Sequence, residues 1–148
     1  MFNSSSSRGK RFTDQQVLKL TDGEVLFREG ELSREMYIVQ RGTIEVFKKV
    51  EGSTIVLAKV ERGSMVGEMS LLESLPRSAS ARSIGETTLL VLDPGSFLLK
   101  IRRDPTFAFE LMKQLSGRIR QTNEKLVALI AAEQLSKNNL QEVVESSL

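Results

Sequence analysis

The sequence contains no cysteine, no histidine and no tryptophan among its 148 residues. Without cysteine the chain has no disulfide framework, no thiolate metal site, no iron–sulfur cluster and no cysteine nucleophile. Without histidine it has no imidazole acid–base catalyst, no Ser-His-Asp triad, no His-bound haem and none of the common zinc sites. We therefore expect no catalytic residues, no metal site and no enzyme, although carboxylate, lysine and serine chemistry remains open.

Long apolar runs and a strong charge of one sign are also missing. The longest apolar runs, such as Leu126 to Ala132, are far shorter than the roughly 20 residues of a membrane-spanning helix. Residues 1–7 lack the apolar segment of a secretory signal. The 21 basic and 19 acidic residues leave a formal net charge of +2, which is too small for a protein that coats nucleic acid. These absences favour a cytoplasmic protein that enters no membrane.

The composition changes along the chain. Residues 1–12 predict a disordered tail, because serines and a short basic cluster offer too little apolar surface for a folded core. Residues 13–104 are predicted to form a β-roll domain, and from about Val17 to Leu92 they carry a β pattern. Within it, Ile44 to Lys48 alternates between apolar and polar side chains as a half-buried strand does. Dipeptides such as Arg41-Gly42 predict turns between strands. Many short strands at this spacing are typical of a sandwich, a jelly roll or a barrel. The predicted strands are Val25 to Phe27, Tyr37 to Val39, Thr43 to Val50, Thr54 to Val60 and Thr88 to Leu92.

The last part of the chain predicts helices. Asp93-Pro94 and Asp104-Pro105 each place a capping carboxylate before a proline at the first helical position. Residues 105–148 then form a C-terminal helix or helices, for dimerisation or as a linker. One apolar face recurs there at spacings of three and four residues. Its members are Leu111, Leu115, Ile119, Thr122, Leu126, Leu129 and Ile130.

A continuous C-terminal helix of this length cannot be covered by one small β-domain. At 1.5 Å per residue it would span about 60 Å, whereas the radius of gyration of such a domain is about 15 Å. Three arrangements remain open. The helix pairs with a partner helix, it bends back at Gly117 or at Asn138-Asn139, or it leads into a further domain.

One segment, Arg62 to Ala81, breaks the strand pattern. It predicts the end of a strand, a glycine at Gly67, a short helical turn and a returning strand. The amides at the start of that turn and the planar guanidinium of Arg77 both suit a phosphate. The carboxylate of Glu68 suits the hydroxyls of a sugar. An acid for a ribose and an arginine for a phosphate make a site of the size of a nucleotide.

This segment resembles the phosphate-binding cassette of the cyclic nucleotide-binding domain family, which includes regulatory modules of protein kinase A, of cyclic-nucleotide-gated channels and of the bacterial catabolite activator. The similar stretches are Gly67 to Leu72 and Pro76 to Ala79, and the resemblance extends over about Leu20 to Lys125. One departure is Val66, where an aromatic residue is common in the family. The implied fold is mainly β with C-terminal α: a jelly-roll-like β-roll with a short cassette helix and a long C-terminal helix.

The resemblance also implies roles for individual residues. Glu68 would accept a hydrogen bond from the ribose 2′-hydroxyl, Arg77 would pair with the exocyclic oxygens of the cyclic phosphate, and Ser78 would lie beside that phosphate. Family members that favour cyclic GMP often have threonine at the position of Ser78, so the expected ligand is cyclic AMP, with cyclic GMP as the alternative and no other cofactor. On the long helix, Thr122 and Asn123 are similar to an adenine-contacting stretch. The expected ligand-binding residues are Gly67, Glu68, Met69, Ser70, Leu71, Arg77, Ser78, Ala79, Thr122 and Asn123.

These features predict a cyclic-nucleotide-binding regulatory sensor that transmits ligand binding through its C-terminal helices and forms a homodimer through the long helix. The alternative is a truncated transcription regulator of the catabolite activator type that lacks its DNA-binding domain. The residues from about Leu135 to Leu148 are too few for a helix-turn-helix, and from Glu133 onward the chain carries a net charge of −2, so no DNA binding is expected from this chain alone. A cupin-like enzyme would need a metal cluster, which is usually rich in histidine.

Overall fold

The computed structural model describes residues 16–147. The predicted disordered tail, residues 1–12, lies outside the described residues. The chain divides into two compact units, Met1–Arg103 and Asp104–Leu148. The first unit contains the β-sheet and two helices, and the second consists of one long helix.

The first unit is built on six antiparallel strands, which confirms the predicted mainly β class. Two long strands form its centre, with the sheet order β1-β6-β3-β4, while β2 also pairs with β6 and β5 with β3. A short helix, α1, connects β5 to β6, and α2 follows β6. The strands are β1 Gln16–Leu20, β2 Val25–Phe27, β3 Met36–Val50, β4 Ser53–Val60, β5 Met65–Val66 and β6 Ser80–Leu92, and the helices of this unit are α1 Glu68–Glu73 and α2 Pro94–Arg103.

The strand predictions need one correction, at Gly42. The dipeptide Arg41-Gly42 predicts a turn between two strands, but β3 runs through it without a break. The register between β3 and β6 shifts at this point. Gly42 has a φ of +89°, and a Cβ there would lie 2.5 Å from the carbonyl oxygen of Glu86. The glycine therefore marks an irregularity inside a long strand, where two backbones approach closely, rather than the end of a strand.

The core of the sheet is assembled from the apolar positions that alternate along the strands. Phe27 and Tyr37 stack with their ring centroids 6.3 Å apart. Both rings are buried and belong to one cluster contributed by the different strands. Its members are Leu20, Phe27, Tyr37, Val39, Ile44, Val60, Val66, Ala81, Leu89 and Val91. The cluster includes Val66 of β5 and Ala81 of β6, so it anchors both ends of the segment that connects these two strands.

The second unit is the helix α3, Pro105–Ser146. The side chain of Asp104 accepts a hydrogen bond from the backbone N–H of Phe107, as the predicted cap requires. The helix has 42 residues, which corresponds to about 63 Å. It continues through Gly117 and through Asn138-Asn139, so neither of the candidate breaks occurs. Within residues 16–147, no helix has the length and apolar character needed to cross a membrane.

Candidate functional site

Gly67 joins β5 to α1 in a left-handed conformation. Its φ is +84° and its ψ is 8°, which only glycine adopts without strain. There is also no room for a side chain, because a Cβ would lie 2.7 Å from Nη1 of Arg77 and 3.0 Å from the carbonyl oxygen of Glu35. The glycine therefore lets α1 begin directly beside the guanidinium of Arg77.

Arg77 lies inside the first unit, and its side chain is only 1% exposed. Each nitrogen of the guanidinium donates one hydrogen bond: Nε to Oγ of Ser33 at 2.9 Å, Nη1 to the carbonyl oxygen of Gly67 at 3.0 Å, and Nη2 to the carbonyl oxygen of Glu35 at 2.7 Å. The guanidinium also stacks on the ring of Phe27, with Cζ 4.2 Å from its centroid. A guanidinium has five N–H groups, so each terminal nitrogen has one further N–H beyond these three bonds, and Oε2 of Glu35 lies 4.0 Å from Nη2.

The loop between β2 and β3, residues 28–35, holds the backbone of Arg77 as well as its side chain. The N–H of Gly30 donates to the carbonyl oxygen of Arg77 at 2.8 Å, and the N–H of Arg77 donates to the carbonyl oxygen of Glu31 at 2.9 Å. Arg34 reaches the far end of α1, where its Nη2 donates to the carbonyl oxygen of Leu71 at 3.2 Å. This loop therefore contacts both sides of the cassette, the segment from Gly67 to Ala79.

Sequence reasoning missed the contribution of Ser33 and Glu35. The loop follows β2, but no local pattern indicates which of its residues contact an arginine more than 40 residues away. A serine between two turns is usually solvated. Its position beside Arg77 follows only from the pairing of the loop with residue 77.

The electrostatics of the site are dominated by burial. Burial, the largest effect, lowers the pKa of Arg77. The pKa is raised in turn by four neighbouring groups, Tyr37, Glu35, Glu31 and Glu68. Burial also raises the pKa of the Tyr37 phenol to about 12, with a further contribution from Glu35. A buried cation surrounded by acidic and hydroxyl groups stays charged, and it lowers the cost of placing an anion nearby.

The remaining predicted residues of the cassette divide between buried and exposed positions. The side chain of Glu68 is buried, with the residue 6% exposed. Ser70, Leu71 and Ala79 are also buried. Met69 and Ser78 are exposed. Gly67 and Arg77 are thus in contact, and Glu68, which carries the carboxylate, is the first residue of α1.

Thr122 and Asn123, the predicted adenine-contacting residues, lie on α3 in the second unit, whereas the cassette lies in the first. Both are exposed. The hydroxyl of Thr122 donates to the carbonyl oxygen of Arg118, one turn earlier, at 2.8 Å. To contact a ligand as a donor, this hydroxyl has to leave that bond.

Comparison with known proteins places the cassette in context. The sequence model described as "Cyclic nucleotide-binding domain" matches residues 17–104, which is more than half of the chain. The chain is 36% identical over 105 residues to the "Cyclic AMP receptor protein" of Thermus thermophilus, covering 70% of this chain and 49% of that protein. It is 32% identical over 84 residues to the "cAMP-dependent protein kinase regulatory subunit" of Mycosarcoma maydis, covering 57% of this chain and 16% of that protein.

Comparison of structures gives the same relationship. The crystal structure of the Thermus thermophilus catabolite activator protein superimposes with a TM-score of 0.70 and 34% sequence identity. The superposition covers 78% of this chain and 55% of that one. This chain therefore spans about half of the length of the bacterial regulator that it matches.

Proposed function

The chain belongs to the cyclic nucleotide-binding domain family, and from this premise we propose that it is a cyclic AMP sensor whose ligand site is the cassette from Gly67 to Ala79. A domain of this family is a regulatory binding module rather than a catalyst. The output of the sensor is a change in the C-terminal helices, through a shift between two populations of conformers.

The contact between Gly67 and Arg77 carries the proposal. The carbonyl oxygen of Gly67 accepts from Nη1 of Arg77 at 3.0 Å, so a hydrogen bond within the protein holds the start of α1 beside the guanidinium. One N–H remains on each terminal nitrogen beyond the three bonds to the protein. Two donors on the terminal nitrogens of one guanidinium suit two oxygens of one phosphate. We assign the exocyclic oxygens of the cyclic phosphate to them.

The sugar and the rest of the phosphate are assigned to the remaining residues of the cassette. Glu68 accepts from the ribose 2′-hydroxyl, because its carboxylate is an acceptor-only group in the first turn of α1. Ser78, which is exposed, donates its hydroxyl to the phosphate. The backbone amides of Ser70 and Leu71 complete the phosphate contacts.

The proposed base is adenine. Two relatives are named for cyclic AMP, a receptor protein of Thermus thermophilus and a kinase regulatory subunit of Mycosarcoma maydis. Ser78 lacks the methyl group of the threonine that often accompanies cyclic GMP. Thr122 and Asn123 are the proposed adenine contacts, since a hydroxyl and an amide both offer acceptors for an amino group.

A second candidate is the sensor portion of a cyclic-AMP-activated transcription regulator. The 36% identity to a bacterial cyclic AMP receptor protein favours it. The two candidates differ in what the intact protein does after ligand binding. Reading the uninterrupted coding sequence from the gene, followed by a DNA-binding assay on its product with and without cyclic AMP, distinguishes them.

Calorimetry of the purified chain against cyclic AMP, cyclic GMP and cyclic di-GMP tests the proposal. We expect binding of cyclic AMP, weaker binding of cyclic GMP and none of cyclic di-GMP.

Glu68→Gln should lower the affinity for cyclic AMP by about 10- to 100-fold, because a charge-assisted hydrogen bond is worth about 1.5–3 kcal/mol. 2′-Deoxy cyclic AMP should lose little further affinity for that variant. Full additivity of the two losses would place Glu68 away from the ribose.

A further inference from the structure

Ser33 lies at the end of the Arg77 guanidinium opposite to its terminal nitrogens. We propose that Ser33 is a positioning residue, which orients the guanidinium for the cyclic phosphate; the inference rests on the proposed function of the cassette. Its hydroxyl oxygen accepts from Nε of Arg77 at 2.9 Å. It is the side-chain acceptor among the three hydrogen bonds of the guanidinium, since the other two acceptors are the backbone carbonyls of Gly67 and Glu35.

Three fixed points are needed to define the orientation of a planar group. The carbonyls of Gly67 and Glu35 hold the two terminal nitrogens, and those two bonds alone leave the plane free to tilt about the line between the nitrogens. The bond from Nε to Ser33 supplies the third point. The ring of Phe27 lies against one face only, at 4.2 Å, and therefore limits the tilt in one direction.

The position of the Arg77 backbone does not depend on Ser33. The N–H of Gly30 and the carbonyl oxygen of Glu31 pair with the backbone of residue 77 at 2.8 and 2.9 Å. Removal of the Ser33 hydroxyl therefore leaves the Cα of Arg77 in place and acts on its guanidinium. The Nε–H group would then be buried without this acceptor, so the guanidinium would tilt toward another one.

A tilt changes which oxygens of a phosphate the guanidinium meets. Bidentate pairing needs both donors in the plane of the two oxygens. A guanidinium held in one orientation makes its shorter hydrogen bond to one particular exocyclic oxygen. A guanidinium that can tilt has a smaller preference between the two exocyclic oxygens. The two phosphorothioate diastereomers of cyclic AMP report this directly, because sulfur replaces one or the other exocyclic oxygen and is a weaker acceptor.

The experiment compares Ser33→Ala with the intact chain in calorimetry against cyclic AMP and both diastereomers. We expect Ser33→Ala to weaken cyclic AMP binding by about tenfold and to reduce the ratio of the two diastereomer affinities by about threefold or more. The matched control is Ser83→Ala. Ser83 is a buried serine, whose hydroxyl donates to the carbonyl oxygens of Thr21 and Glu24, away from the cassette. The control should keep both the affinity and the ratio.

Three results would overturn the proposal. An unchanged affinity of Ser33→Ala would mean that the hydroxyl does not orient the guanidinium. An equal loss for both diastereomers would show a structural role without positioning. Failure of the intact chain to bind any cyclic nucleotide would overturn the proposed function and this inference with it. The first two results can be observed only if the intact chain binds cyclic AMP, so they are distinct from this third one.

Discussion

At the scale of single residues, Gly67 is the position where the cassette tolerates no side chain. Gly67→Ala would have to keep a φ of +84° and place its Cβ 2.7 Å from Nη1 of Arg77. Left-handed strain costs about 1–2 kcal/mol, and overpacking adds about 1–3 kcal/mol. We expect the free energy of unfolding, measured in urea, to fall by about 2–5 kcal/mol and cyclic nucleotide binding to be lost.

Gly63→Ala is the matched control for this variant. Gly63 has the same φ of +84°, but a Cβ there would meet no atom within 4 Å. We expect only the conformational cost, about 1–2 kcal/mol, and full binding. Equal losses in the two variants would mean that strain alone, and not the close approach to Arg77, explains Gly67.

Tyr37 gives a direct readout of burial beside the site. It is the single tyrosine of a sequence without tryptophan, so the ultraviolet absorbance of tyrosinate reports this residue alone. We expect the folded protein to titrate with a pKa of about 12, against 10.0 for an exposed tyrosine. The unfolded chain loses its phenol proton first, so stability that is present below pH 10 is lost as the pH rises toward 12.

The size of this loss is on the order of 2–3 kcal/mol for a pKa difference of about two units. Urea unfolding over this pH range measures it, and Tyr37→Phe should remove most of the slope. A native titration near that of the unfolded chain would show that solvent reaches the phenol.

At the scale of elements, α3 is one continuous helix through Gly117. A Cβ at this position would meet no atom within 4 Å, and glycine in a helix interior costs about 0.5–1 kcal/mol relative to alanine. We therefore expect Gly117→Ala to stabilise the helix by about that amount. Circular dichroism during thermal unfolding should show a higher midpoint. A lower midpoint would indicate that the helix bends at Gly117 in solution.

At the scale of the whole molecule, we propose that the chain forms a parallel two-fold dimer through α3. Leu115, Ile119, Thr122, Leu126 and Leu129 follow spacings of four and three residues, the heptad pattern of a coiled coil. The leucines and isoleucines of residues 119–140 are exposed in the single chain. Their exposed fractions are 63% for Ile119, 54% for Leu126, 69% for Leu129 and 57% for Ile130. A second copy of the same helix would cover them symmetrically.

Light scattering coupled to size exclusion checks the assembly. The intact chain should have the mass of a dimer at tens of micromolar, and Leu126→Glu should be monomeric because it buries a charge at a heptad core position. Ala131→Glu adds the same charge on the opposite side of the heptad and should stay dimeric. A monomeric intact chain, with and without cyclic AMP, would contradict the dimer and leave Thr122 able to contact only the nucleotide of its own chain.

The sequence by itself determined the features that depend on neighbouring residues. Alternation along Ile44 to Lys48 predicted a strand, and Asp104-Pro105 predicted the start of α3, because side-chain direction and helix capping depend on only a few residues. The pair Gly67-Glu68 likewise predicted a glycine directly before a short helix. The order of elements and the mainly β class followed from these local patterns.

The tertiary structure alone decided what lies against the guanidinium of Arg77. Ser33 is 44 residues away and Glu35 is 42 residues away in sequence, so their positions depend on how the loop pairs with residue 77. The irregularity at Gly42 likewise depends on where β3 crosses β6, since the atoms that exclude a side chain belong to Glu86 and Thr87. Contacts of this kind are set by the register of distant strands, and a residue's own neighbours in the chain carry no information about that register.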